Sequence, residues 1–249
     1  QLSFEDIIPV GSMPALRNKA KFVAIPSTSG TASEITAFSV ITDMESHIKY
    51  PIVSPHIVPD VAIIDPALPA KMPPHITANT GMDVMAHALE AFVSTVANDY
   101  SDPLAMRAIK LVFENIETAY KQGDNMPARD NMHNASTLAG MAFSNVSLGL
   151  VHSLAHKIGG EFGVTHGLAN SILMPYIIEY NKLSTDKYAE VERYLGLESI
   201  ENELRALNAK LDIPLTFKEI TEVDISEADY LAVLDRMSQN AFDDPCTLT

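Results

Sequence analysis

GMDVMAHALEAFVSTVA, residues 81–97, decides the fold class. From Asp83 on it has no glycine or proline, is rich in alanine and keeps apolar residues over about four helical turns. Upstream lies PALPAKMPPHITANTG (66–81), whose four prolines read as a connector. Downstream, helical patterns continue to the end. DPLAMRAIKLVFENIETAYK (102–121) offers Asp102 as an N-cap and Pro103 in the first turn, followed by an apolar stripe. Further helices are expected over 128–146, 147–162, 166–182, 184–196, 199–211, 216–222 and 226–241. Before the connector the pattern is that of strands: KFVAIPS (21–27), SVITD (39–43), IKYPIVS (48–54) and DVAIID (60–65). Their nearly continuous apolar runs fit strands covered on both faces. The expectation is a mostly α chain, with the last strands of an α/β domain over 1–66 and an all-helical domain over 67–249.

The bulk composition narrows the function. With 17 basic and 32 acidic residues the net charge is −15. Nucleic acid and anionic membrane, which need a basic footprint, are therefore not expected partners. Cys246 is the single cysteine, which precludes an intrachain disulfide and fits a reducing, cytoplasmic compartment. No apolar run reaches the roughly 18 residues of a membrane span. The opening QLSFEDIIPVGS has neither a signal-peptide pattern nor an initiating Met, so residue 1 need not be the natural start.

Three constellations carry chemistry. Asp83 and His87 are four residues apart, as are His152 and His156, and His166 follows. On a helix that spacing places both side chains on one face. An oxygen donor with imidazoles suits a first-row divalent cation such as Fe²⁺, Zn²⁺, Co²⁺ or Ni²⁺. A buried Asp–His hydrogen-bonded pair explains the first stretch equally well. Burying an aspartate in an apolar helix is costly unless it is paired or metal-bound. The spacing is not that of HExxH zinc proteases. His47, His56, His75 and His133 fall in expected loops or on a helix surface and receive no role. The third constellation, PSTSGTASE (26–34), follows a strand and groups small hydroxyl residues around Gly30, a composition able to meet phosphate or ribose oxygens. Neither a Walker A motif nor GxGxxG occurs.

In these stretches the sequence resembles the iron-containing (group III) alcohol dehydrogenases. The resemblance runs through KFVAIPSTSGTASEITAFSVITD, PDVAIIDPAL, MPPHITANTGMDVMAHALEAFVS, MHNASTLAGMAFSN and GLVHSLAHKIGGEFGVTHGLANSILMPYII, in order, over almost the whole chain. It is most similar to the butanol dehydrogenase type and to the alcohol dehydrogenase half of aldehyde–alcohol dehydrogenases. The resemblance implies metal ligands at Asp83, His87, His152 and His166. It places His156 near the nicotinamide as a proton-handling residue outside the ligand set. Ser27, Thr28, Thr31 and Lys49 become cofactor contacts, with Ser27 a departure from the family's Thr-Thr pair. It implies that 1–66 is the end of a dinucleotide-binding domain.

The implied activity is metal-assisted, reversible hydride transfer between a butanol-like primary alcohol or its aldehyde and NAD or NADP, with Fe²⁺, Zn²⁺ or another divalent metal. A homodimer or larger homo-oligomer is expected. Lactaldehyde or diol reduction, or a non-catalytic metal-binding module of a larger assembly, are the alternatives. Family members carry a Gly-Gly-Gly-Ser pyrophosphate loop that nothing here matches. The chain is therefore expected to be a fragment, with the metal half present and most of the cofactor half missing.

Overall fold

The computed structural model describes residues 6–7, 12–15, 20–42, 49–244 and 246–247. His47 lies outside them, as do the ends of the predicted strands at 43 and 48 and the side chain of Lys49. Among the described residues four short strands come first: β1 (Val23–Ala24), β2 (Phe38–Thr42), β3 (Lys49–Val53) and β4 (Val61–Ala62). β1 pairs with β4 in parallel, and β2 with β3 in an antiparallel ladder that sets Phe38 opposite Val53. The expectation of strands covered on both faces is not met. Phe22, Val23, Ile25, Val61 and Ile63 are exposed, because no described element packs over β1 and β4.

Among the described residues eight helices follow: α1 (Pro74–Val93), α2 (Asp102–Lys121), α3 (Met126–Val146), α4 (Leu150–Phe162), α5 (His166–Asn181), α6 (Lys187–Leu195), α7 (Ile200–Lys210) and α8 (Glu227–Phe242). The connector ends earlier than its prolines suggest, since Pro73 is the N-cap of α1 and Pro74 its first residue. A helix tolerates proline there because the first N–H groups have no intrahelical acceptor. Asp83 is consequently mid-helix, not at a start. In α2 the N-cap is Ser101, and Asp102 and Pro103 are the first two helical residues. Residues 216–222 form only a 3₁₀ turn over Phe217–Glu219.

α1 is the centre of the bundle. It packs against α2, α3 and α5. Sixteen of its 20 residues are buried, so its apolar surface runs all the way round. Each fully buried Met82, Met85 or Leu89 contributes about 1.5–3 kcal/mol. α4 packs on α5 and α8, and α5 also on α7. Two backbone breaks aim these helices. Ser147, at φ 65°, ends α3, and α4 leaves at 101° to it. Gly163, at φ 75°, closes α4 in the left-handed conformation that glycine adopts without steric cost. The GGEFG stretch therefore breaks only at its last residue; Gly159 and Gly160 remain helical.

Candidate metal centre

α1 presents Asp83, His87 and Glu90 on one stripe at i, i+4 and i+7. α4 brings His152 and His156, and α5 brings His166 at its first residue. Asp83 Oδ1 is the point of convergence: His166 Nε2 lies 3.5 Å away, His152 Nε2 3.6 Å and His87 Nε2 3.9 Å. Donor atoms of Asp83, His152 and His166 all lie within 4.8 Å of one another. His87 joins them through Asp83 and by stacking on His152, with ring centroids 4.6 Å apart. Donors on arms of about 2.0–2.2 Å sit roughly 3.3–3.6 Å apart at tetrahedral corners, close to the two shorter separations.

Two residues absent from the sequence reading organise this cluster. Glu90, buried, accepts from Val151 N at 2.6 Å and from His152 Nδ1 at 2.5 Å. It thus serves the N-terminus of α4 from a neighbouring helix, where an orphan N–H and the positive end of the helix favour a carboxylate. With Nδ1 committed to Glu90, Nε2 of His152 faces Asp83, the carboxylate–histidine arrangement that orients a metal ligand. Asn170, one turn after His166 on α5, donates from Nδ2 to Asp83 Oδ1 at 2.7 Å. The same nitrogen lies 3.2 Å from the Nε2 atoms of both His152 and His166. One amide nitrogen is thus crowded among three atoms of the cluster, and Asn170 Oδ1 has no partner. A divalent cation satisfies such a donor set better than an amide, so the residues fit a metal. The signals for both residues were a lone acid one stripe position beyond His87 and an amide at i+4 from His166.

The electrostatics agree. Burial works to raise the Asp83 carboxyl, but His87, His166 and His152 hold it well below the usual carboxylate range. Burial pushes His87 down to about 3, leaving it a neutral donor. His152 is disfavoured as a cation by burial, yet Glu90 and Asp83 carry it up to about 9.

The cluster lines a cavity of about 520 Å³ whose walls include Phe38, Val53, Phe143 and Leu148. His166 and His156 are its open side, with side chains 40% and 32% exposed. His156 stacks on His166 at 5.4 Å and approaches Asp244 Oδ2 with Nδ1 at 3.3 Å. Thr31 borders the same cavity, Ser27 is exposed on the loop after β1, Thr28 is half-buried there, and Lys49 opens β3. His133 is neither in a loop nor on the surface: it is buried on α3, and its Nδ1 lies 2.9 Å from Ser29 Oγ. His75 is in the first turn of α1.

Residues 77–249 match the Fe-containing alcohol dehydrogenase family, C-terminal, and residues 2–66 match iron-containing alcohol dehydrogenase. The chain belongs to the iron-containing alcohol dehydrogenase family. Among its relatives is the NADPH-dependent butanol dehydrogenase of Clostridium saccharobutylicum, 47% identical, with 98% of this chain and 64% of the relative covered. The iron-containing alcohol dehydrogenase structure from Thermococcus thioreducens superposes with a TM-score of 0.88 at 36% identity, over 98% of this chain and 65% of that one. A sulfoacetaldehyde reductase from Bifidobacterium kashiwanohense, solved in complex with NAD⁺, gives a TM-score of 0.84 at 32% identity, over 96% of this chain and 65% of that one. The chain thus spans slightly less than two thirds of the length of these relatives.

Glu90→Gln tests the support of the metal centre. It keeps the size but makes the group a weaker acceptor, with an amide N–H facing another donor. Metal affinity is expected to fall by about 10–100-fold with the helical content unchanged. Titration with a metallochromic competitor reads this directly, and an unaltered affinity would show that Glu90 only caps α4.

Proposed function

We propose that this chain is the metal-binding part of an alcohol dehydrogenase that interconverts a primary alcohol of butanol-like size with its aldehyde, using a nicotinamide cofactor. The carrying observation is the convergence of three imidazole nitrogens on Asp83 Oδ1 within a cavity walled by Phe38, Val53, Phe143 and Leu148. Asp83, His87, His152 and His166 hold the cation, Fe²⁺ or another divalent metal. Bound there, it supplies Lewis-acid stabilisation of negative charge on a substrate oxygen. The hydride chemistry belongs to the NAD or NADP; the named relatives include an NADPH-dependent enzyme and one solved with NAD⁺.

The chain's own side chains do the rest. Phe38, Phe143 and Leu148 exclude water around an alkyl tail and strengthen the electrostatics at the polar end. His156 handles the hydroxyl proton: Asp244 takes its Nδ1–H and leaves Nε2 as the base. Ser27, Thr28, Thr31 and Lys49 contact the cofactor; Thr31 on the cavity wall supports this. We place the boundary between a dinucleotide-binding part, 1–66, and a metal domain, 67–249. The two family matches divide between residues 66 and 77, where strands give way to helices. The single cysteine supports a reducing, cytoplasmic setting, and the family resemblance a homodimer or larger.

The test is reduction of butyraldehyde with NADH or NADPH by the full-length protein. Chelation should abolish the activity and Fe²⁺ restore it; a rate indifferent to chelation would refute the assignment. In the same assay His156→Ala is expected to lower kcat by about 10²-fold or more while metal content stays at wild-type level. Loss of the metal from that variant would place His156 among the ligands instead.

A further inference from the structure

A second donor set borders the same cavity and plays no part in the ligand cluster on α1. A ring nitrogen of His156, a carboxylate oxygen of Asp244 and the thiol of Cys246 lie within 4.8 Å of one another. The pieces come from α4 and from the segment after α8. That segment is held against α4, because Thr247 Oγ1 meets Ser153 Oγ at 2.6 Å and bonds to Ala241 O. Cys246 N donates to Asp244 Oδ1 at 2.9 Å, fixing the carboxylate beside its own thiol. The Asp244 side chain is only 6% exposed, so its acceptor oxygens point into the cluster and not into solvent.

We propose that His156, Asp244 and Cys246 form a second site for a thiophilic divalent cation, Zn²⁺ above all, whose occupation inhibits the enzyme. Three observations carry this. The donors are the imidazole, carboxylate and thiolate types that zinc prefers. His156 Nδ1 and Asp244 Oδ2 are 3.3 Å apart, close to the tetrahedral edge expected for arms of about 2.0 Å. The cluster opens on the substrate cavity, which His156 and Cys246 both line, leaving a fourth position for water. The first donor set has no sulfur; this one does, which separates the two by softness. A coordinated thiol gives up its proton to solvent as the zinc–sulfur bond forms, with no change of oxidation state.

Inhibition follows from position. The cation would tie down His156, which stacks directly on His166, and crowd the space in front of the first metal. Lys157 opposes it. Lys157 Nζ sits 2.8 Å from Asp244 Oδ2 and neutralises the same carboxylate. Lys157 is therefore a built-in competitor, and its flexible stem must swing away for the cation to enter.

Binding of the cation is independent of the proposed reaction and can be tested without activity, whereas its inhibitory effect rests on that reaction. Full-length protein stripped of metal is titrated with Co²⁺. The first donor set can give only ligand-field bands, whereas the second should add a near-ultraviolet thiolate-to-cobalt charge-transfer band. That band should vanish in Cys246→Ser while the ligand-field bands of the first site remain. In iron-loaded enzyme, Zn²⁺ should inhibit in competition with the alcohol. Its inhibition constant should rise in Cys246→Ser by more than the about 10–100-fold seen when outer-shell partners are lost. In Lys157→Met it should fall. A charge-transfer band unchanged by Cys246→Ser overturns the site, as does zinc inhibition of equal strength in the wild type and Cys246→Ser. Failure of metal binding at Asp83 would leave the sulfur band untouched, so the two assignments fail separately.

Discussion

Asp83→Asn is expected to empty the candidate metal centre and to lower the proposed alcohol dehydrogenase activity of the full-length protein by about 10³-fold or more. The substitution is nearly isosteric, so packing is conserved and the charge alone is removed. Three histidines face Asp83 Oδ1 at 3.5, 3.6 and 3.9 Å. Without the carboxylate they become a neutral set, and a divalent cation must be stripped of water with no anionic ligand to compensate. The new amide also worsens the local hydrogen bonding. Asn170 Nδ2 now donates to Asp83 Oδ1, and an asparagine there keeps one acceptor but brings its own N–H groups among imidazoles. Lewis-acid stabilisation is worth several kcal/mol, and about 4 kcal/mol corresponds to 10³ in rate. Metal analysis beside steady-state kinetics decides the matter. A variant that retains a full equivalent of metal would displace Asp83 from the centre of the site.

Gly167→Ala is expected to destabilise the protein by roughly 1–3 kcal/mol and to weaken metal binding with it. Alanine ordinarily favours a helix over glycine by about 1 kcal/mol, so the sign is set by contact. A Cβ at Gly167 would stand 2.2 Å from the Asn79 carbonyl oxygen and 2.7 Å from its carbon. Both atoms belong to the backbone of α1 and cannot rotate away. The helices must separate, and the separation falls on His166, next to Gly167, and on Asp83, one turn after Asn79. Gly160→Ala is the control: beyond the neighbouring backbone of its own helix nothing lies within 4 Å of its added Cβ, and the residue is helical and exposed. That change should raise stability by about 0.5–1 kcal/mol. Thermal midpoints and metal affinities of the two variants should move in opposite and unequal ways. Equal stabilisation by both would mean that α1 and α5 are not in backbone contact.

The local layer of this fold is legible because helices announce themselves over a turn or two. The patterns over 102–121, 166–182 and 199–211 become α2, α5 and α7 within a residue or so. Proline misleads over 66–81, since it marks a loop in one context and the first turn of a helix in another. The amphipathic pattern at 216–222 does not propagate, because three helical residues cannot repay the cost of nucleation. His133 illustrates the same limit: its neighbours in sequence do not reveal that Ser29, 104 positions away, meets its ring.

What the sequence determined by itself was short-range chemistry: which side chains share a helix face, and that Asp83, His87, His152, His156 and His166 are donors suited to a metal. Periodicity is a local property, so the residues alone suffice for it. Tertiary structure decided the meeting of α1, α4 and α5. It made Asp83 the focus, and it placed Glu90 on His152 and Asn170 among the candidate ligands. It also carried Asp244, 88 positions from His156, to within 3.3 Å of that ring. Those distances arise from helix packing around α1, through the glycine contact with Asn79 and the turns at Ser147 and Gly163. Spacing within one helix encodes only the proximity of His87 to Asp83 and of Asn170 to His166.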